Sequence, residues 1–245
     1  VSTPSFGTFT VGHSFGSASY KYDEEVPQVY EQVSDAHHTT TASANKIGDF
    51  MDNNVIAYTS PSFDLGGASL TIDAAYSPEA TDSAVGDGRN PAHSTTIGDG
   101  KELGVTLSFE GFKAGVYGAE RTRFNTVSAT DDAVRDEFNG VWYAKYSFGP
   151  VSIGYSESYL DAGVSETDAV ATSAAKTYRT SGGLFENTQM SIAFNLNENF
   201  SISYTDSEDT YDAQSNVKGG TEIKDVTSDI EAIQVAYSMG GMSIK

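Results

Sequence analysis

Few residues of this 245-residue chain could carry chemistry, and most lack the partners that chemistry requires. Gly12-His13-Ser14-Phe15-Gly16 has the spacing of a G-x-S-x-G nucleophile elbow and follows a strand-like stretch. Such an elbow needs a buried apolar strand behind it, yet the stretch before it alternates with Thr8 and Thr10. It also needs a histidine late in the chain, and His93 is the last one. The spacing is therefore read as a coincidence. His37-His38 is a poor metal pair, because adjacent residues of an extended segment point to opposite faces and no third ligand follows at a metal-binding spacing. Asp206-Ser207-Glu208-Asp209 with Asp212 offers hard oxygen ligands without the spacing or glycine of a calcium-binding loop. It supports at most a loosely held divalent cation such as Ca2+ at acidic loops. Asn199-Phe200-Ser201 is a formal glycosylation sequon in an expected tight turn, with no role assigned. The densest charged run is Lys21-Tyr22-Asp23-Glu24-Glu25, followed by Glu31 and Asp35. Its consecutive carboxylates Asp23, Glu24 and Glu25 admit two readings: a solvated acidic loop, or fixed negative charge lining a narrow passage where potentials are focused.

Composition removes several classes. There is no cysteine, hence no disulfide framework, zinc ribbon or thiol nucleophile. With 34 acidic and 14 basic residues the net charge is -20, which repels a phosphate backbone, so no nucleic-acid partner is expected. High charge with modest hydrophobicity can signal disorder, but 14 Tyr and 13 Phe in regular blocks argue against it. No segment approaches the roughly 18 apolar residues of a membrane-spanning helix. Barrel strands, which alternate in polarity, would escape that test.

The elements that must position these residues have a period of two. Leu70, Ile72, Ala74 and Tyr76 share one face, and Thr71, Asp73 and Ala75 the other. The same alternation sets Leu103, Val105, Leu107 and Phe109 against Gly104, Thr106 and Ser108, and recurs at 190–194 and 200–205. Short turns at 63–67, 110–111, 148–150, 196–199 and 239–241 alternate with long polar stretches at 78–100, 122–137, 160–186 and 207–228. A soluble sandwich has no reason to segregate short turns from long loops, whereas an up-and-down membrane barrel does. Aromatic residues also gather at strand ends, among them Phe63, Tyr76, Phe109, Trp142, Tyr146 and Phe148, where interfacial girdles would need them. One connection, residues 14–53, breaks the rhythm, and loops of that length are usually functional.

Phe6-Gly7-Thr8-Phe9-Thr10-Val11-Gly12-His13 before this loop, and Asn53-Asn54-Val55-Ile56-Ala57-Tyr58-Thr59-Ser60-Pro61-Ser62-Phe63 after it, resemble the strands that flank the third loop of the Gram-negative general porin family. The resemblance spans the whole chain as one domain, 1–245, and has clear implications. The fold would be all-β, a transmembrane antiparallel up-and-down barrel of the sixteen-stranded type. This chain would cover strands five to fifteen, with further strands expected before Val1 and after Lys245 to close the sheet edges. The loop at about 14–53 would fold into the lumen, with Asp23, Glu24 and Glu25 at the constriction and a preference for cations. The protein would be a homotrimer in the outer membrane, in contact with its lipid and lipopolysaccharide. It would pass small hydrophilic solutes passively, with neither an enzymatic step nor a cofactor. The alternative is a structural or adhesive outer-membrane barrel with acidic surface loops. Either way, Leu70, Ile72, Leu107, Ile192 and Ile202 are expected to face outward together.

Overall fold

A computed structural model describes residues 1–12, 18–23, 25–30, 33, 54–78, 80, 97–123, 136–161, 184–212, 226–239 and 242–244. Among them the chain is all-β but for a one-turn 3-10 helix, Ala18–Lys21. The strands are β1 (Ser2–Thr3), β2 (Gly7–Gly12), β3 (Val55–Thr59), β4 (Phe63–Asp64), β5 (Ser69–Ser77), β6 (Ile97–Phe109), β7 (Phe112–Arg123), β8 (Glu137–Phe148), β9 (Val151–Asp161), β10 (Leu184–Asn197), β11 (Phe200–Asp212), β12 (Val226–Met239) and β13 (Met242–Ile244). They form a single sheet in which each strand pairs antiparallel with its sequence neighbour, except that β3 also pairs with β5 and β4 lies beside β5 alone. Pairing runs from β1 to β13, and those two are not paired with each other among the described residues.

The alternating segments became the strands, with two informative differences. The strand expected within residues 53–63 is interrupted at Ser60-Pro61-Ser62, because proline has no N–H to give to a ladder. Ser60 bridges the gap: its N–H donates to Ile72 O at 2.8 Å and its Oγ accepts from Ile72 N at 2.8 Å. β10 and β11 run further than their apolar alternation, to Leu184 at one end and Asp212 at the other. Residues 207–212, expected from sequence to be loop, are therefore strand.

Two-residue turns join β6 to β7, β8 to β9 and β10 to β11 at one end of the sheet. The strand ends Ser77, Arg123, Asp161 and Asp212, which lead into the longer connections, share the other end.

The two faces have opposite character. On one, apolar residues oppose each other across strands: Leu70 with Leu107, Ile72 with Val105, Val105 with Val116, Ile153 with Ile192, Ile192 with Tyr204, and Ile202 with both Phe194 and Val235. This face is exposed, with Met190 57%, Ile192 45% and Ile233 71% accessible. Leu70, Ile72, Leu107, Ile192 and Ile202 all lie on it. On the other face Asn187 opposes Asp209, Gln189 opposes Ser207 and Ser191 opposes Thr205, and these polar residues are buried. A water-soluble sheet hides its apolar face; here the polar side is enclosed.

Candidate functional site

The enclosed polar face holds the described part of the long connection between β2 and β3. The 3-10 helix Ala18–Lys21 closes with Tyr22 N–H on Ser19 O at 2.8 Å and Asp23 N–H on Ser19 O at 3.0 Å. Tyr22, Val26 and Val33 are buried beyond it. Tyr22 lies flat over Gly104 of β6: a Cβ built there would sit 2.4 Å from the ring, so only glycine leaves the seat open. The Tyr22 ring also stacks on Tyr117 of β7, with centroids 5.2 Å apart.

Asp73 of β5, buried on the polar face, latches this turn. Its carboxylate accepts from Tyr22 Oη at 2.9 Å and from Thr59 Oγ1 at 2.6 Å, and forms an ion pair with Lys21. Lys21 Nζ also donates to Thr59 Oγ1 at 3.0 Å. Burial, reinforced by the neighbouring Asp73 charge, pushes the Tyr22 hydroxyl above its ordinary value. Beside the latch, Glu102 of β6 accepts from Ala18 N–H at 2.8 Å and from Tyr117 Oη at 2.7 Å.

Glu25 makes the second attachment. Lys113 of β7 and Lys145 of β8 are direct cross-strand partners, and both donate to its carboxylate, at 2.7 and 2.5 Å. Lys113 Nζ also stands 5.4 Å above the Tyr143 ring. Further on, Pro27 packs over Gly154 of β9, where a Cβ would come within 2.3 Å of its ring, and Pro27 O accepts from Ser191 Oγ of β10 at 2.6 Å. Val29 N–H donates to Ser203 Oγ of β11 at 3.2 Å. Residues 21–29 thus touch β5 at one end and β11 at the other.

Of the carboxylates singled out in the sequence, Asp23 lies in the turn beside the Asp73 latch, Glu25 bridges the lysine pair, and Glu24 falls outside the described residues. So do His13, Ser14, Glu31, Asp35, His37 and His38. Asp206 and Glu208 lie on the apolar-bearing face of β11, while Asp209 lies on the polar face and accepts from Asn187 Nδ2 at 2.6 Å. Alternation along the strand therefore splits these acids between two faces. Among the described residues no group of His, Asp or Glu is placed to share a metal ion.

Lys113 and Lys145 had no motif to single them out. The only trace of them in the sequence was parity, which puts both on the face of Gly115, Tyr117 and Tyr143. Arg121 and Glu137 were likewise unmarked, yet they form a buried ion pair, Nε to Oε2 2.6 Å, and Arg121 Nη1 donates to Ala80 O at 3.2 Å. That contact pins the chain just past β5 to the same polar face. Neither a protein-family model nor a curated protein sequence matches the chain.

Proposed function

We propose that this chain belongs to an outer-membrane β-barrel of porin type. Its apolar face would meet lipid and its polar face would line a passage for small hydrophilic solutes. The observation that carries the reading is the inversion of polarity across one up-and-down sheet, with polar residues enclosed and aliphatic and aromatic residues exposed. The segment latched along the polar face supports it further, since a chain lying inside a lumen narrows it. The resemblance in the strands flanking that segment points the same way and suggests a trimer in contact with lipopolysaccharide. In this reading no residue has a covalent role and no cofactor is required. Lys113 and Lys145 compensate Glu25, so cation preference rests on the net charge of -20 more than on Glu25.

The experiment is reconstitution of the purified protein into planar bilayers. Stepwise conductance that rises with salt, with a cation/anion permeability ratio that falls as salt screens the fixed charge, is expected. A protein that inserts but conducts no ions would refute the pore and leave the adhesive or structural barrel.

A further inference from the structure

We infer that Lys113 and Lys145 form a binding site for small oxyanions, and that Glu25 occupies it as an internal substitute for the ligand. The lysines sit directly opposite each other on β7 and β8. Like charges at that register repel each other, and here a counter-charge offsets the repulsion. The counter-charge is a single carboxylate, whose two oxygens each take one ammonium, Oε1 from Lys113 at 2.7 Å and Oε2 from Lys145 at 2.5 Å.

Among the described residues, two lysines against one carboxylate leave this group one positive charge in excess. The neighbouring cations of the polar face are differently placed: Lys21 meets Asp73, and Arg121 meets Glu137. Two ammoniums on the two oxygens of one carboxylate are charge-assisted donors that a free carboxylate or phosphate group would equally accept. The grip is also accessible, with the Lys113 and Lys145 side chains 33% and 31% exposed and Glu25 the most enclosed of the three at 15%. Glu25 comes from a distant part of the chain, 88 residues from Lys113 and 120 from Lys145, so it is held there by docking of the segment rather than by local geometry.

A dissolved phosphate or carboxylate group therefore competes with Glu25 for the same two donors. When it wins, it takes over both hydrogen bonds and frees Glu25, leaving this stretch attached through the Tyr22 latch on one side and the Pro27 and Val29 contacts on the other. The site does not depend on the proposal that the protein is a pore. If it is one, oxyanion solutes would be retarded at this point even though the protein as a whole prefers cations.

The test is calorimetric titration of the folded, detergent-solubilised protein with inorganic phosphate, against chloride at equal ionic strength. Glu25→Gln removes the internal competitor and raises the local excess to two charges, so phosphate should bind about tenfold more tightly than to the wild type. Lys113→Gln/Lys145→Gln should abolish the binding, and Lys113→Arg/Lys145→Arg should keep it. In parallel, phosphate should protect Lys113 and Lys145 of the wild-type protein from acetylation, read by mass spectrometry, which needs no variant to fold. Phosphate affinity unchanged by Glu25→Gln, binding retained by the double Gln variant, chloride acting as strongly as phosphate, or lysines labelled equally with and without phosphate would each overturn the assignment. None of these readouts depends on conductance, so a protein that binds phosphate but forms no channel would refute the pore alone.

Discussion

Gly104 is the position where a single added carbon should separate the docked segment from the sheet. An alanine Cβ there would lie 2.4 Å from Cζ and the hydroxyl oxygen of Tyr22, and 2.6 Å from Cε2. Ordinary contact needs about 3.4 Å or more, so the ring must retreat by about 1 Å. That retreat stretches the 2.9 Å bond from Tyr22 to Asp73 beyond hydrogen-bonding distance. Losing a hydrogen bond to a charged acceptor costs about 1.5–3 kcal/mol, and overpacking adds about 1–3 kcal/mol. The β6 backbone pairs with β5 and β7 without involving the Gly104 side, so the cost falls on the docked turn and not on the sheet. A local loss of about 3 kcal/mol raises the open population of residues 18–30 by about a hundredfold. Hydrogen exchange of the Tyr22 and Asp23 amides, or limited proteolysis within 18–30, would read this directly. Gly118→Ala is the control: it sits on the opposite face, where the nearest atom to a built Cβ is Phe138 at 3.6 Å, and it should leave the segment unchanged. Equal exchange in Gly104→Ala and wild type, or the same loosening in Gly118→Ala, would refute the seating of Tyr22 as the anchor.

Other outcomes follow from the same structure. Arg121→Met removes a charged partner of the buried Glu137 carboxylate and should cost about 3–5 kcal/mol in urea unfolding, whereas Arg121→Met/Glu137→Met should cost less than either single change; a double variant weaker than both singles would contradict this. The raised hydroxyl of Tyr22 means that its contribution to docking is complete below pH 10, its ordinary titration point, and is lost as pH rises through the higher folded value. Ultraviolet phenolate titration of Tyr22→Phe should therefore differ from wild type only at the alkaline end, and a difference appearing below pH 10 would count against burial of the phenol. Ile192→Lys, on the exposed apolar face, should cost about 2–4 kcal/mol for folding into lipid vesicles if that face lies near the bilayer midplane; an unaltered folding yield in lipid would argue against a membrane-facing surface. Asp206 faces Glu231 and Glu208 faces Asp229 across β11 and β12, so Glu231→Lys should stabilise this sheet edge by about 0.2–1 kcal/mol in the same unfolding assay, and a loss of stability there would contradict the assigned register.

The sequence by itself determined the strands, their order and which residues share a face. That information is local: polarity alternates along 69–77, 103–109, 190–194 and 200–205, and short turns leave little choice but antiparallel neighbours. It failed where local polarity stops alternating. Glu208, Asp209 and Thr210 are polar on both faces, so the far end of β11 looked like loop, and only pairing with β10 and β12 reveals it as strand. The candidate site lay further from reach. The run Asp23-Glu24-Glu25 was conspicuous as charge, but its consequence depends on what stands opposite. Asp73, Lys113, Lys145 and Ser203 meet the segment only because it docks across the polar face of the sheet. Glycine at 104 and 154 is silent in a sequence, since its meaning is the empty space that Tyr22 and Pro27 fill. Period and turn chemistry act between neighbours and can be read along the chain. The pairing of a loop carboxylate with lysines 88 and 120 residues away is settled by long-range packing, which no local pattern encodes.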